Sequence, residues 1–165
     1  MIMQSRTYLF IALAGLSAPV AAQDAVPVPA IERDAHYHNH QLLYLYNLKP
    51  ADGWSQTASG LRYRKVKEGA GGPRPAASDV VTIHYVGRFI DGSEFDSSVS
   101  RGEPATFPLP RLIKGWQEGV PLMSVGDTYE FAIPWHLAYG PAGKGPIPGG
   151  ATLIFTIELI ALPKP

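Results

Sequence analysis

"DVVTIHYVGRFI", Asp79 to Ile90, decides the fold. Its apolar residues alternate. Val81, Ile83 and Tyr85 fall on one face, and Val80, Thr82, His84 and Val86 on the other. A period of two is that of a half-buried β-strand, and β-branched and aromatic side chains suit a pleated surface. Asp91-Gly92 follows at once, a tight-hairpin signal. It turns the chain back through "SEFDSS", so the strand has an antiparallel neighbour.

The same pattern extends outward. "LRYRKVKEG", from Leu61, alternates in part. "GAGGPRPAAS" is a loop. "ATFPLP" is a short strand with Ala105, Phe107 and Leu109 on one side. "DTYEFAIP" and "ATLIFTIELIAL" are the last two strands, joined by the Gly- and Pro-rich loop "WHLAYGPAGKGPIPGG". Between them, "LIKGWQEG", Leu112 to Gly119, is the only helix expected inside the domain. The sum is an α+β fold, a curled antiparallel sheet of about five strands wrapped around one short helix. One helix covers a twisted sheet only if the sheet curls round it. That leaves an apolar hollow, lined by Ile113 and Trp116 from the helix and by Tyr85, Phe107 and Phe155 from strands.

Before Leu61 the organisation differs. Arg6 is the only formal side-chain charge before Asp24, and "YLFIALAGL" and "SAPVAAQ" follow it. A basic start, an apolar core and small residues at Val20-Ala21-Ala22 predict a cleaved export signal over 1–22, and hence a periplasmic or secreted protein. The apolar run is shorter than the roughly 20 residues of a spanning helix. Residues 23–60 read as an N-terminal extension. Its start is Pro- and Ala-rich. "HYHNHQLLYLYNLKP" predicts a short helix ending before Pro50, too short to stand alone and so docked on the domain or a partner. Residues 61–165 form the domain.

Composition excludes several function classes. The 165 residues carry 14 basic and 14 acidic side chains, so no net charge attracts nucleic acid or an anionic membrane. No cysteine is present, which removes disulfides, thiolate metal sites and a Cys nucleophile. There is no G-x-S-x-G elbow, no H-E-x-x-H, and "GAGG" lacks the Lys-Ser/Thr of a phosphate loop. His36 and His40 share a helix face, with His38 between them, but no carboxylate or third His stands beside that pair. The sequence predicts no metal and no cofactor.

The remaining signal is aromatic. Tyr85, Phe95, Phe107, Trp116, Tyr139 and Phe155 fall on inward phases or loop corners. A plain aromatic core is the simpler reading. Against it, two tyrosine hydroxyls need partners if buried, and Asp96 directly follows Phe95. Apolar walls with a few converging polar groups describe a small-ligand site.

"VTIHYVGRFIDGSEFDSS", "LIKGWQEGVPLMSVGD", "LAYG" and "IPGGATLIFTIELI" together resemble the FKBP-type peptidyl-prolyl cis/trans isomerases, from about Leu61 to Leu162. "NLKPADGWSQTASGLRYRKVKEG" is similar to the lead-in of secreted bacterial members. The resemblance implies a proline pocket. Trp116 would be its floor and Tyr85, Phe95, Phe107 and Phe155 its walls. Leu112 and Ile113 would stand at the helix entrance, with the Ile113 N–H binding a substrate carbonyl. Asp96 would sit near the twisting amide, held by Arg101 and the Tyr85 hydroxyl. Tyr139 would donate to a peptide carbonyl, and Ile147 would close the far rim. Ala105 replaces an aromatic that members often carry, Lys144 replaces a His found in some, and "LPRLI" is shorter than in many relatives. The implied partners are proline-containing polypeptides, with macrolide inhibitors as candidate ligands. The rival reading is a proline-peptide-binding chaperone with little catalysis. The short apolar patch at Gln41 to Leu48 favours a monomer.

Overall fold

A computed structural model describes residues 35–163 of the chain. The expected export signal therefore lies outside the described residues. In chain order the elements are α1 (Ala35–Asn47), β1 (Ser55–Gln56), β2 (Arg62–Lys67), β3 (Val80–Phe89), β4 (Glu94–Ser97), α2 (Ser98–Arg101), β5 (Ala105–Pro108), α3 (Lys114–Gly119), β6 (Thr128–Ile133), β7 (Gly143–Lys144), β8 (Ile147–Pro148) and β9 (Leu153–Ala161).

Seven strands make one antiparallel sheet in the order β1-β2-β6-β9-β3-β4, with β5 also paired to β3. The pattern suggested about five. The two beyond that number are β1, two residues long within the N-terminal extension, and β4, the short return arm after the Asp91-Gly92 turn. Register shifts at Thr82/Ile83 and Gly87/Arg88 in β3 and at Lys65/Lys67 in β2 bend the sheet. β2 itself does not alternate. Its buried anchor is Leu61, one residue before it.

β3 behaves as its period requires. Val81, Ile83 and Tyr85 are buried and Val80, Thr82, His84 and Val86 between them are half-buried. The inner face joins them to Leu153, Phe155, Ile157 and Leu159 of β9 and to Phe131 and Ile133 of β6. α3 lies on this face. Six residues cannot hold a helix alone, so packing must. Gly115 and Gly119 make it possible. A Cβ on Gly115 would stand 2.5 Å from Ile133 Cγ2, and one on Gly119 would stand 2.6 Å from Phe131 Cε1. The helix backbone therefore rests directly on β6, and Trp116 drops into the core.

α1 docks on the opposite face. Leu45 packs with Trp54, Ala132 and Ile154 in a second apolar cluster. Gln41 is buried, and its Oε1 accepts from the Thr152 N–H at 2.8 Å. The helix ends at Asn47, before Pro50, as that proline requires. α2 is a single turn that sequence reading did not separate from the β-hairpin. The Ser97 side chain caps it by accepting from the Ser100 N–H.

Candidate active site

The aromatic residues converge. Trp116 meets Phe155 edge-on at 5.1 Å between ring centroids, Tyr85 at 5.3 Å and Phe107 at 6.5 Å. Phe95 meets Phe155 edge-on at 5.6 Å, and Phe89 joins Phe95 at 4.9 Å. Edge-to-face contacts of this kind suit the ring quadrupoles and fix orientation. Trp116 is 1% exposed. Tyr85 and Phe155 are also buried, while Phe95, Phe107 and Tyr139 are only partly so. Those three are the members a ligand meets first.

A small residue makes the convergence possible. Gly87, in mid-β3, pairs with Phe155 on one side and Asp96 on the other. A Cβ there would stand 2.7 Å from both Phe155 Cε1 and Phe95 Cζ. The two rings occupy the space a side chain would need. Sequence reading did not single out Gly87, although an isolated glycine inside a strand marks a close approach.

Beside the rings lies a polar triangle. The Tyr85 hydroxyl donates to Asp96 Oδ2 at 2.6 Å. Arg101 donates from NH1 to Asp96 Oδ1 at 2.5 Å and from NH2 to the Tyr85 hydroxyl at 2.8 Å. Asp96 is buried, so an unpaired carboxylate would be costly, and here both oxygens are satisfied. Burial pushes the Tyr85 phenol far above its usual value, and its hydrogen bond to Asp96 adds to this. Burial lowers Arg101, but the bonds to Tyr85 and Asp96 outweigh it and leave the guanidinium more basic than usual. The triangle is thus a neutral phenol between a guanidinium and an acid.

Ser98 holds this corner from behind. Its fully buried Oγ accepts from the Tyr85 N–H at 2.7 Å, and also meets His84 Nδ1 at 3.0 Å and the Tyr85 carbonyl at 3.3 Å. Sequence reading passed over Ser98 as one of many serines. Only the fold brings it to β3.

The remaining expected residues divide. Ile113 sits at the N-cap of α3 and is buried. Its carbonyl accepts from the Trp116 and Gln117 N–H groups, and its own N–H donates in none of the backbone turn or cap bonds. Leu112 is fully buried beside it, and its carbonyl accepts from Gln117 Nε2 at 2.6 Å. Tyr139 lies close enough for the Asp96 charge to act on it. Burial first, and then that charge, raise its phenol well above the usual value. Its hydroxyl is buried and has no hydrogen-bond partner among the described residues. The Trp116 Nε1 is also buried without one. Ile147 is buried on the β7–β8 ribbon and belongs to the same core cluster as Tyr85, Trp116 and Phe155. His36, His38 and His40 are exposed on α1, apart from the site. Among the described residues no cluster of three His, Asp or Glu side chains is placed to hold a metal.

Comparison with known proteins places this geometry. Residues 72–160 match the FKBP-type peptidyl-prolyl cis-trans isomerase family model. An FKBP-type isomerase named FkpA from Aeromonas hydrophila is 51% identical over 122 residues, 74% of this chain and 45% of the relative. An FKBP-type 22 kDa isomerase from Escherichia coli is 47% identical over 120 residues, 72% of this chain and 58% of the relative. The chain thus spans about half the length of these curated relatives. The crystal structure of a peptidyl-prolyl isomerase from Pseudomonas syringae aligns with a TM-score of 0.69 at 33% identity, covering 76% of this chain and 92% of that one.

Proposed function

This chain belongs to the FKBP-type peptidyl-prolyl cis-trans isomerase family, and from that premise we propose that it accelerates rotation about X-Pro bonds in other polypeptides. The observation that carries the reading is the pairing of an aromatic box with an unsatisfied donor. Trp116, Tyr85, Phe155, Phe95 and Phe107 form the box, and the Tyr139 hydroxyl beside it is buried without an acceptor among the described residues. A peptide carbonyl supplies that acceptor.

The X-Pro amide turns slowly because rotation breaks its resonance, against a barrier of roughly 18–20 kcal/mol. The planar amide is the more dipolar state, and the twisted one has lost that charge separation. An apolar box therefore favours the twist. The pyrrolidine ring enters past Phe107 and Tyr139 and settles toward the indole. The Ile113 N–H and the Tyr139 hydroxyl hold the flanking carbonyls while the bond turns. Asp96, fixed by Tyr85 and Arg101, sets the polarity at the edge of the box. No covalent intermediate is required.

The substrates are proline-containing stretches of unfolded or partly folded chains. Residues 1–22 act as an export signal, so the folding clients are exported proteins, and residues 61–165 constitute the catalytic domain.

A prolyl isomerisation assay on a Leu-Pro peptide tests the reading. Wild type, Asp96→Ala and Trp116→Ala are compared, each checked for folding. Wild type should exceed buffer strongly and both variants should lose most of the gain. Equal rates in all three, matching buffer, would end the enzyme reading. Retained peptide binding at those rates would make the chain a proline-peptide-binding module instead.

A further inference from the structure

Between α1 and the domain, away from the aromatic box, lies a second concavity of about 450 Å³. Leu42, Leu45 and Tyr46 of α1 form one wall and Trp135 another, with Arg62 and Thr152 on the sheet side. No residue assigned to the isomerase site lines it.

His38, His136, Gln41 and Gln56 also line it, but its formal charge is one-sided. Among the described residues no Asp or Glu lines it, and Arg62 is the only Lys or Arg that does. Arg62 makes no ion pair among the described residues. Among those residues its Nε is buried without a hydrogen-bond partner, and so is Thr152 Oγ1, on a residue only 1% exposed. Buried donors left unmade are uncommon and unfavourable. The volume falls in the roughly 300–1,000 Å³ range of small-molecule sites, and apolar walls with a few convergent polar groups are their usual make-up.

We infer that this groove is a second ligand site, for a small carboxylic acid with an apolar body. The carboxylate accepts from the Arg62 guanidinium and the Thr152 hydroxyl. The body lies against Trp135, Leu42 and Leu45. Charge complementarity selects the acid. An amine would meet an unpaired guanidinium, and a neutral molecule would leave that cation without a counterion.

The test uses the full chain and 1-naphthoate, with 1-naphthalenemethanol as its neutral analogue. Calorimetry gives the affinities, and amide chemical shifts locate the site. The acid should bind at least about tenfold tighter than the alcohol, a margin suited to a charge-assisted bond. The shifts should concentrate on Gly60, Gly150 and Thr152. Arg62→Gln and Thr152→Val should each reduce the preference for the acid and leave the isomerisation rate unchanged. If Arg62→Gln fails to fold, Thr152→Val and the acid–alcohol comparison decide. Equal binding of acid and alcohol overturns the inference, as do shifts confined to Trp116 and Tyr139. An apolar peptide with a free C-terminus that binds the groove tighter than naphthoate overturns it in favour of a polypeptide site. Self-association that blocks naphthoate overturns it in favour of an interface between copies.

Discussion

The Tyr85 hydroxyl and the Asp96 carboxylate stand 2.6 Å apart, and Arg101 binds both, so each member of the triangle is fixed by the other two. Removing one should therefore expose the rest. Tyr85→Phe removes two hydrogen bonds but keeps the Asp96–Arg101 pair, and should lower stability by about 2 kcal/mol, at a net worth of about 1 kcal/mol for each bond. Asp96→Ala strands the guanidinium and should cost about 3 kcal/mol, the low end for breaking a buried pair, because Arg101 keeps some solvent. Urea unfolding of both variants measures the ordering. A larger loss for Tyr85→Phe would refute it.

Tyr139→Phe should separate activity from stability. The hydroxyl has no partner among the described residues, so its removal relieves a desolvation penalty. The variant should be as stable as wild type or more so, by up to about 1 kcal/mol. Yet kcat/KM for a Leu-Pro peptide should fall about tenfold, the loss of one bond to a substrate carbonyl. Unchanged kcat/KM would remove Tyr139 from the site.

Gly115→Ala and Gly119→Ala should destabilise the fold. In a free helix such changes gain up to about 1 kcal/mol. Here the new methyl collides with Ile133 or Phe131, and overpacking costs about 1–3 kcal/mol. Packing should win. Thermal unfolding of the two variants reports the sign, and a higher midpoint would show that α3 has slack.

The acid and alkaline limits of stability have different owners. Burial raises Asp127, but the N–H groups of Gly69 and Ser124, with Lys65 and Arg74 nearby, outweigh it and hold its carboxyl below the usual range. Its contribution is present above the unfolded value of 3.8 and is lost as pH falls below it. Tyr85 and Tyr139 are raised, chiefly by burial, so their contribution is intact below the usual phenol value of 10.0 and is lost as pH rises past it. Asp127→Asn should flatten the acid arm and Tyr139→Phe part of the alkaline arm. Urea midpoints across pH decide, and parallel curves for wild type and Asp127→Asn would reassign the acid arm.

Gln41→Ala should release α1 while sparing the domain. It leaves the buried Thr152 N–H unpaired, at about 1–3 kcal/mol. Amide hydrogen exchange should quicken across α1 and stay slow in β3 and β9. Uniform quickening would mean that α1 is integral to the sheet.

The period of two in β3 placed Val81, Ile83 and Tyr85 inward without help from any distant residue, and the structure agrees. Phe95-Asp96 declared itself in the same way, as an acid forced against a ring. The family resemblance implied that Arg101 and the Tyr85 hydroxyl hold Asp96, and the three side chains are hydrogen-bonded to one another. Ser98, Gln41, Trp54 and Gly87 were silent for a common reason. Ser98 acts on β3, Gln41 on a residue 111 positions away, and Trp54 on β6 and β9. Gly87 matters for the rings that crowd it. A local pattern reports which face a residue takes, not which distant partner will meet it there.

β9 lies between β3 and β6, the two long neighbours that precede it in the chain. Residues 62–152 therefore form no continuous sheet until 153–161 arrive to join β6 to β3. A ribosome still short of residue 153 holds a chain whose longest strand lacks its main neighbour, and most of the core cannot seal. Folding should then begin late, after synthesis of the whole domain. Truncation just before Leu153 should yield an unfolded chain rather than a smaller native one.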